Sequence, residues 1–484
     1  MACSIRLLNV HERSSDIKLC SLIPVIREGA QMNIVTPPIT VGEDEAFEQD
    51  VLGRSNFGQS LLNLVCQSSD ELVISLDGKW GEGKTTFVKM WKGMLNQADV
   101  PSIYIDAFAN DYIDDAFIAV ASAITTYIEL NSVNPDAQKS KEFREKAKHV
   151  GVQLLSWTAK VGIKAATLGA IKDSDIDELK DIQSDVAKGL STVVGDYVGE
   201  RLASHKQDVE LLQSFKGLLA EMPSLLSPEG DKPLVIIIDE LDRCKPTYAV
   251  ELIEKIKHLF SVKNVVFVLV MHRKQLEEAV KCIYGQNIDA HTYLQKFINI
   301  ETTIPKKTGD RNDSDINQYN KKLFGLHQIE TWGDGRNLVD SLDVLATHFN
   351  LSLRQLERVY TNLAVFYASS SKNQLRLVPI ISFLAVIKVV DSSVYEALLH
   401  QKMTYEELCE KTGLSEHDQE DRNLRRLQFL AMWLKFSLIT DEQFEQLDEN
   451  DRIRGFGQSL WEYNVERNRL IPIFIQKLSM FTVS

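Results

Sequence analysis

The chain has 484 residues, 54 Lys+Arg against 68 Asp+Glu for a formal net charge of −14, and is 44% hydrophobic and 25% charged. That length exceeds one compact core and predicts roughly two to four domains, while the acidic balance excludes a general nucleic-acid-coating surface and leaves room only for a local basic patch. The six cysteines (Cys3, Cys20, Cys66, Cys244, Cys282, Cys409) form no C-x-x-C pair, so neither a zinc site nor a disulfide framework is expected, and a reducing cytoplasm suits them.

Residues 1–45 show weak periodicity, have too short an apolar run for a signal peptide, and read as an N-terminal arm ending in the turn-rich VTPPITVGEDE. A helix is predicted at Phe57–Gln67, then a strand at Leu72–Asp77, a glycine-rich turn, and a helix to about Leu95. Ser102–Asp106 (SIYID) reads as a second strand and Ala116–Leu130 as a helix. Residues 131–230 are helical in pattern, polar, and without strand signals, so they read as an insertion. Pro233–Leu241 (PLVIIIDEL) contains a buried strand. It is followed by a helix at Tyr248–Phe260, a buried strand at Asn264–Met271, a helix at Lys274–Tyr284 and a fifth strand at Phe297–Thr303. From Ser314 onward helical patterning runs to the C-terminus.

Short apolar runs alternating with helices predict an α/β fold with a parallel sheet covered on both faces. The expected domains are the arm, a core at 46–305 interrupted by 131–230, and a helical C-terminal region at 306–484. No stretch reaches the ~18 to 20 apolar residues of a membrane helix. Lys160 and Lys164 break Val150–Ile171, and Leu377–Val390, with Pro379 and Lys388, reads as a buried helix.

The run Leu72–Thr86, LVISLDGKWGEGKTT, places Gly78, Gly83, Lys84 and Thr85 in the pattern G-x-x-x-x-G-K-[ST]. Glycines let successive N–H groups curl around a phosphate, and the following helix N-terminus adds positive partial charge. On this reading the loop Gly78, Lys79, Trp80, Gly81, Glu82, Gly83, Lys84, Thr85 and Thr86 cradles the phosphates. Lys84 reaches the β- and γ-phosphates, and the Thr85 hydroxyl ligates Mg²⁺.

Four apolar residues ending in Asp239-Glu240 form a Walker B arrangement, with Asp239 on Mg²⁺ through water and Glu240 orienting or deprotonating the attacking water. A second acid favours hydrolysis over binding alone. The strand expected between the two motifs in space, Val265–Met271, would deliver His272 or Arg273 toward the γ-phosphate; a surface turn is the other reading for His272. The absence of an [NT]-K-x-D motif tilts the base toward ATP.

Arg354 and Arg358, at i and i+4, share one helix face, from which one would reach the γ-phosphate; a solvated or salt-bridged face is the alternative. Arg243 reads as an ion-pairing residue, and Lys296 as a weaker candidate for acting in trans. Asp310–Asp315 (DRNDSD) lacks the glycine and glutamate of a calcium loop and reads as a polar linker, and Glu416–Arg422 as a solvated turn or helix start.

The stretch Ile238–Cys244, IDELDRC, resembles the I-D-[DE]-L-D-R-C signature of the KAP family of P-loop NTPases. DVLGRSNF (Asp50–Phe57) resembles the box that precedes the P-loop and packs near the adenine, which implicates Gly53 and Arg54. VFVLVMHR (Val266–Arg273) and YLQKFI (Tyr293–Ile298) resemble the family's fourth strand and the element leading into the last strand. LRQLERVYTN (Leu353–Asn362) resembles its later R-x-[IL]-x-R-x-x-N helix, although Thr361 stands where the family has Asn. His272 likewise occupies a place where Asp is frequent.

The resemblance covers roughly residues 40–365. It implies an ATPase acting in prokaryotic defence against phage and plasmids or in scaffolding at membranes. The expected chemistry is Mg²⁺-dependent ATP hydrolysis on a fold of the additional-catalytic-glutamate class, coupled to conformational change or to assembly as a homo-oligomer or with an effector protein. The alternative is a nucleotide-gated sensor or scaffold with little turnover. Trp157–Asp175 is too charged to span a membrane and reads as a helix packed on the core or lying on a partner or membrane surface.

Overall fold

The structure, a computed structural model, describes residues 32–42, 44–112, 116–131, 141–151, 197–227, 232–259, 262–307, 314–414 and 422–481. Most of the N-terminal arm, Trp157–Asp175, and most of the two charged segments at 310–315 and 416–422 lie outside the described residues.

Five parallel strands form one sheet: β1 (Leu72–Asp77), β2 (Ser102–Asp106), β3 (Leu234–Asp239), β4 (Val265–Met271) and β5 (Ile300–Thr303), in the spatial order β2-β3-β4-β1-β5. β4 therefore lies between the strand that feeds the glycine loop and the strand that ends in Asp239, as the sequence predicts. The register sets Asp77 beside Met271 and Asp106 beside Asp239, so all these strand ends share one rim.

β3 and β4 are buried at every position because both faces of the sheet are covered. Alternate residues divide cleanly: Leu234, Ile236, Ile238, Phe267 and Leu269 face one core, and Val235, Ile237, Val266, Val268 and Val270 face the other. The second core is closed by α1 (Ser55–Gln67) and α2 (Lys84–Gln97) through Leu61, Val65, Phe87 and Trp91. The first is closed by α3 (Ala116–Asn131), α4 (Tyr197–Leu226) and α5 (Pro246–Leu259). The described parts of the expected insertion are helical, and Phe143, Val150, Leu218 and Met222 pack into this same core.

Several boundaries shift for local reasons. β4 starts at Val265 because Asn264 takes a left-handed φ of +60°. β3 ends at Asp239 because Glu240 does the same, also at +60°, and a tight turn follows. The fifth strand is shorter than expected. The amides of Phe297 and Ile298 bond back to the Leu294 carbonyl at 3.0 and 3.3 Å, ending α7 (Ala290–Gln295), so ladder pairing begins only at Ile300. Between β4 and α7 runs α6 (Arg273–Tyr284).

From Ser314 the described chain is helical: α8 (Asp315–His327), α9 (Gly335–His348), α10 (Leu353–Ala368), α11 (Val378–Val390), α12 (Ser392–Leu399), α13 (Tyr405–Thr412), α14 (Arg422–Leu438), α15 (Asp441–Glu445) and α16 (Leu470–Ser479), with 3₁₀ turns between the last two. α11 is the centre of this region. Its Ile381, Phe383, Leu384 and Ile387 are fully buried against residues such as Leu356, Leu363 and Phe474. Its apolarity is therefore that of a core helix, and among the described residues no helix is long and apolar enough to cross a membrane.

Candidate functional site

The glycine loop leaves β1 at Asp77 and enters α2 at Lys84. Gly81 and Gly83 hold φ of +79° and +80°, a region that L side chains rarely adopt. At Gly81 a second reason is added: a Cβ would come within 2.7 Å of the Arg354 Cβ at the start of α10. The Arg354 amide donates to the Gly81 carbonyl at 3.3 Å, so the helical region rests directly on the loop. The Lys84 ammonium lies along the loop, donating to the Gly78 carbonyl at 2.6 Å and the Lys79 carbonyl at 3.4 Å. Glu82 stiffens the turn: its carboxylate accepts from the Lys79 amide at 2.8 Å and pairs with Lys306 at 2.5 Å.

Asp239 is wholly buried at the end of β3. The Tyr104 hydroxyl from β2 donates to its Oδ2 at 3.0 Å, and the Glu240 amide donates to Oδ1 at 2.7 Å. Burial pushes the Asp239 carboxyl up, and the Thr85 and Tyr104 hydroxyls, the Glu240 amide and the Lys84 charge oppose that. Glu240 accepts from the Thr85 hydroxyl at 3.0 Å and pairs with Arg243 through its other oxygen. Burial first, and then repulsion from Asp239, raise its proton affinity, against Arg243. Asp242 accepts from the Trp80 indole N–H, which fixes that ring over the loop.

These groups open onto a cleft of about 240 Å³ between the sheet and the helical region. Lys79, Gly81, Gly83, Lys84, Thr85, Thr86, Glu240, Arg243 and Arg354 give it polar lining. Pro37, Pro38, Ile39, Phe47, Val51, Leu52, Phe87 and Met90 add apolar wall, joined by Tyr319 and Lys322 from α8 and by the polar Thr36, Gln49, Asp50 and Glu357. A glycine loop beside apolar wall is the lining a nucleotide needs. The donor set fits Mg²⁺ with a triphosphate: a glycine loop, a lysine and a hydroxyl beside a fully buried carboxylate whose proton affinity burial raises.

The predicted residues are only partly brought together. Lys84, Thr85, Glu240 and Arg354 face the cleft, with Asp239 buried behind Thr85 and Glu240. Arg358, one turn beyond Arg354, instead lines a neighbouring cleft with Trp80, Phe108 and Asp242. His272 caps α6 and packs edge-on against Trp80 with ring centroids 5.7 Å apart; it lines neither cleft. Arg273 is committed to Glu277 and Glu301, and Lys296 lies over the Tyr293 ring.

Gly53 also stays off the cleft wall: its φ is +63° and a Cβ there would meet Lys307 Nζ at 2.7 Å. Arg54 lines the cleft but is a tie. Nη1 donates to the Glu82 carbonyl at 2.9 Å and Nη2 pairs with Asp315 at 3.3 Å. Sequence reading missed Tyr104, the wall at Thr36–Ile39, and the α8 contributors Tyr319 and Lys322. The one signal available was the Pro37-Pro38 pair, which marks an extended segment without showing what it faces.

The parallel sheet, the glycine loop feeding α2 and the Asp239–Glu240 rim define a P-loop NTPase fold. The chain matches the KAP family P-loop domain over residues 54–370, and it belongs to that family. It is 20% identical over 389 residues to the phage T7 exclusion protein of Escherichia coli, covering 74% of this chain and 47% of that protein. The chain thus spans about half the length of that relative. A second relative, an uncharacterized protein of Methanocaldococcus jannaschii, is 32% identical over 139 residues, 27% of this chain and 69% of that protein. Among solved structures, the ORC2 protein of Aeropyrum pernix, in its ADPNP-ADP complexes, aligns with a TM-score of 0.31 at 13% identity, covering 88% of this chain and 94% of that one.

Proposed function

We propose that the chain is a Mg²⁺-dependent ATPase of the additional-catalytic-glutamate class, whose turnover is transmitted to the helical region resting on the glycine loop. The observation that carries this is Glu240. It follows the buried Asp239, and its Oε1 sits 3.0 Å from the Thr85 hydroxyl where both residues line the cleft.

Thr85 and Asp239 are the residues that would hold Mg²⁺, which when bound would offset the negative charge of the phosphates. Lys84 exchanges its bonds to the Gly78 and Lys79 carbonyls for phosphate oxygens. The Thr85 hydroxyl then turns from Glu240, which frees Oε1 to accept a proton from the attacking water. The Arg243 pair favours the ionised Glu240 carboxylate, against the burial and the Asp239 charge that raise its proton affinity. Arg354, which lines the cleft and has no ion pair among the described residues, supplies positive charge to the transferred phosphoryl group.

A role in excluding phage, working with further copies of the chain or with an effector protein, is the biological setting we infer from the T7 exclusion relative. A nucleotide-gated switch with rare turnover is the rival reading. It is favoured by Glu240 being held by both Thr85 and Arg243. Phosphate release and nucleotide retention separate the two. Lys84→Ala should lose nucleotide binding, and Glu240→Gln should retain ATP while phosphate release falls by about 100-fold or more. Normal turnover by Glu240→Gln would remove that residue from the chemistry, and a wild type that binds ATP without releasing phosphate would favour the switch.

A further inference from the structure

The cleft that takes Arg358 lies beside the nucleotide cleft, shares Lys79, Arg243 and Arg354 with it, and has a volume of about 870 Å³. Five cations line it, Lys79, Arg243, Lys306, Arg354 and Arg358, against two acids, Glu82 and Asp242. Both acids are already engaged, Glu82 with Lys306 and Asp242 with the Trp80 indole N–H. Lys79, Arg354 and Arg358 have no ion pair among the described residues. The net charge of −14 disfavours an anion near the chain as a whole. At physiological salt, however, exposed charges are screened beyond about 8 Å, so the local excess of cations decides what enters. It selects an anion.

Two large rings are exposed in the same cleft, Trp80 at 46% and Phe108 at 49%. Both are held. The Trp80 nitrogen is bonded to Asp242, and its ring meets His272 edge-on with centroids 5.7 Å apart. Phe108 opens a 3₁₀ turn, Phe108–Asn110, that Asp106 pins at the end of β2. The Asp106 carboxylate accepts from the Ala109 amide at 2.9 Å, and its carbonyl accepts from the Asn110 side chain at 2.7 Å. Rings fixed before binding lose little freedom when a ligand stacks on them. Gln275 and Asn350, both exposed, add amides that can meet base edges.

Unpaired cations beside fixed, exposed rings are what an unpaired nucleic-acid strand requires, because its phosphates meet the charges while its bases stack on the rings. A duplex keeps its base faces inside its own stack and would gain the charges alone. An acidic peptide would also gain the charges, but its carboxylates offer the rings no flat face.

We propose that this cleft binds single-stranded nucleic acid, with Trp80 and Phe108 as stacking platforms and Arg358 as a phosphate contact. The site does not depend on the nucleotide reading of the neighbouring cleft. Fluorescence anisotropy of the full chain, without nucleotide, tests it with a labelled oligothymidylate and a labelled oligouridylate of about 20 nucleotides, longer than one such site covers.

At least one strand should bind, and which one does names the source as DNA, RNA or both. A duplex and an abasic strand of the same length should bind at least about tenfold more weakly. Phe108→Ala should weaken the strand about tenfold, and Phe108→Tyr, which keeps a ring, should bind as wild type does. Arg358→Gln should lower the slope of log affinity against log salt by about 0.7, the share of one phosphate on a single strand, and Arg358→Lys should restore it. Lys84→Ala should leave strand binding unchanged, because Lys84 lines only the nucleotide cleft. Failure of both strands to bind, or equal affinity for the abasic strand, would overturn the proposal. So would displacement of the strand by polyglutamate at equal charge, which would point to an acidic protein partner. Loss of strand binding in Lys84→Ala would move the strand into the nucleotide cleft and overturn the site as well.

Discussion

At the residue scale, this chain keeps several carboxylates buried or half-buried, and each needs a reason. Asp239 and Glu240 have one in the proposed chemistry. Asp343, on α9, does not. It accepts from the Asn320 side chain at 2.6 Å, Asn320 in turn accepts from the buried Tyr360 hydroxyl, and burial pushes the Asp343 carboxyl up to about 6.

The folded state therefore binds that proton more tightly than the unfolded chain, whose carboxyl keeps its ordinary value of 3.8. Stability falls as pH rises from about 4 through about 6, and the cost is complete above that. Asp343→Asn keeps an acceptor for Asn320 and removes the buried charge. It should raise unfolding free energy by on the order of 1–2 kcal/mol at pH 7.5 and by about a third of that at pH 4.5. Urea denaturation of both proteins at the two pH values measures this. A gain of the same size at both would mean that packing, not ionisation, is what changed.

At the element scale, the start of α10 does two jobs. Ser352 and Gln355 form a reciprocal capping box that satisfies the helix end. The same turn supplies the Arg354 amide that bonds the Gly81 carbonyl, and the Ser352 hydroxyl lies 3.0 Å from where a Gly81 Cβ would be. Ser352→Ala should therefore cost about 1 kcal/mol of stability and also weaken nucleotide binding by about 3- to 10-fold, because a frayed cap loosens the loop. Thr440 caps α15 with the same reciprocal bonds and has no place in the cleft. Thr440→Ala should show the stability loss alone. Calorimetric titration of the two variants makes the comparison.

This contact also shows what a sequence makes legible. The glycine loop, Asp239-Glu240 and strands such as Ser102–Asp106 announce themselves through residues a few positions apart, and they fall where predicted. The spacing of Arg354 and Arg358 correctly signals one helix, but only the docking of that helix decides that Arg354 meets the cleft and Arg358 does not. Tyr104 on Asp239 depends on strand register, and Thr36 on His327 depends on two ends of a long chain meeting. No local pattern carries either.

At the scale of the whole molecule, the site is a joint between two cores. Arg54 is the tie that crosses it. It is 5% exposed, bonded to the loop at the Glu82 carbonyl and paired with Asp315 at the start of α8. Burial lowers its proton affinity, and Asp315, Asp50 and Glu82 offset only part of that loss. Removing it strands the buried Asp315 carboxylate, whose loss of partner costs about 3–5 kcal/mol.

Leu52 packs into the helical core while lining the cleft, so a nucleotide held there as proposed would touch both bodies. Wild type should then unfold in one calorimetric transition, raised by about 2.7 kcal/mol when nucleotide is present at a hundred times its dissociation constant. In Arg54→Met the sheet and the helical region should separate into two transitions, with the helical one insensitive to nucleotide. If Arg54→Met melts as a single transition that nucleotide still raises in full, the α10 contact at Gly81 and the hydrogen bonds of Asn33 and Thr36 to His327 suffice to join the two cores, and Arg54 contributes stability without coupling.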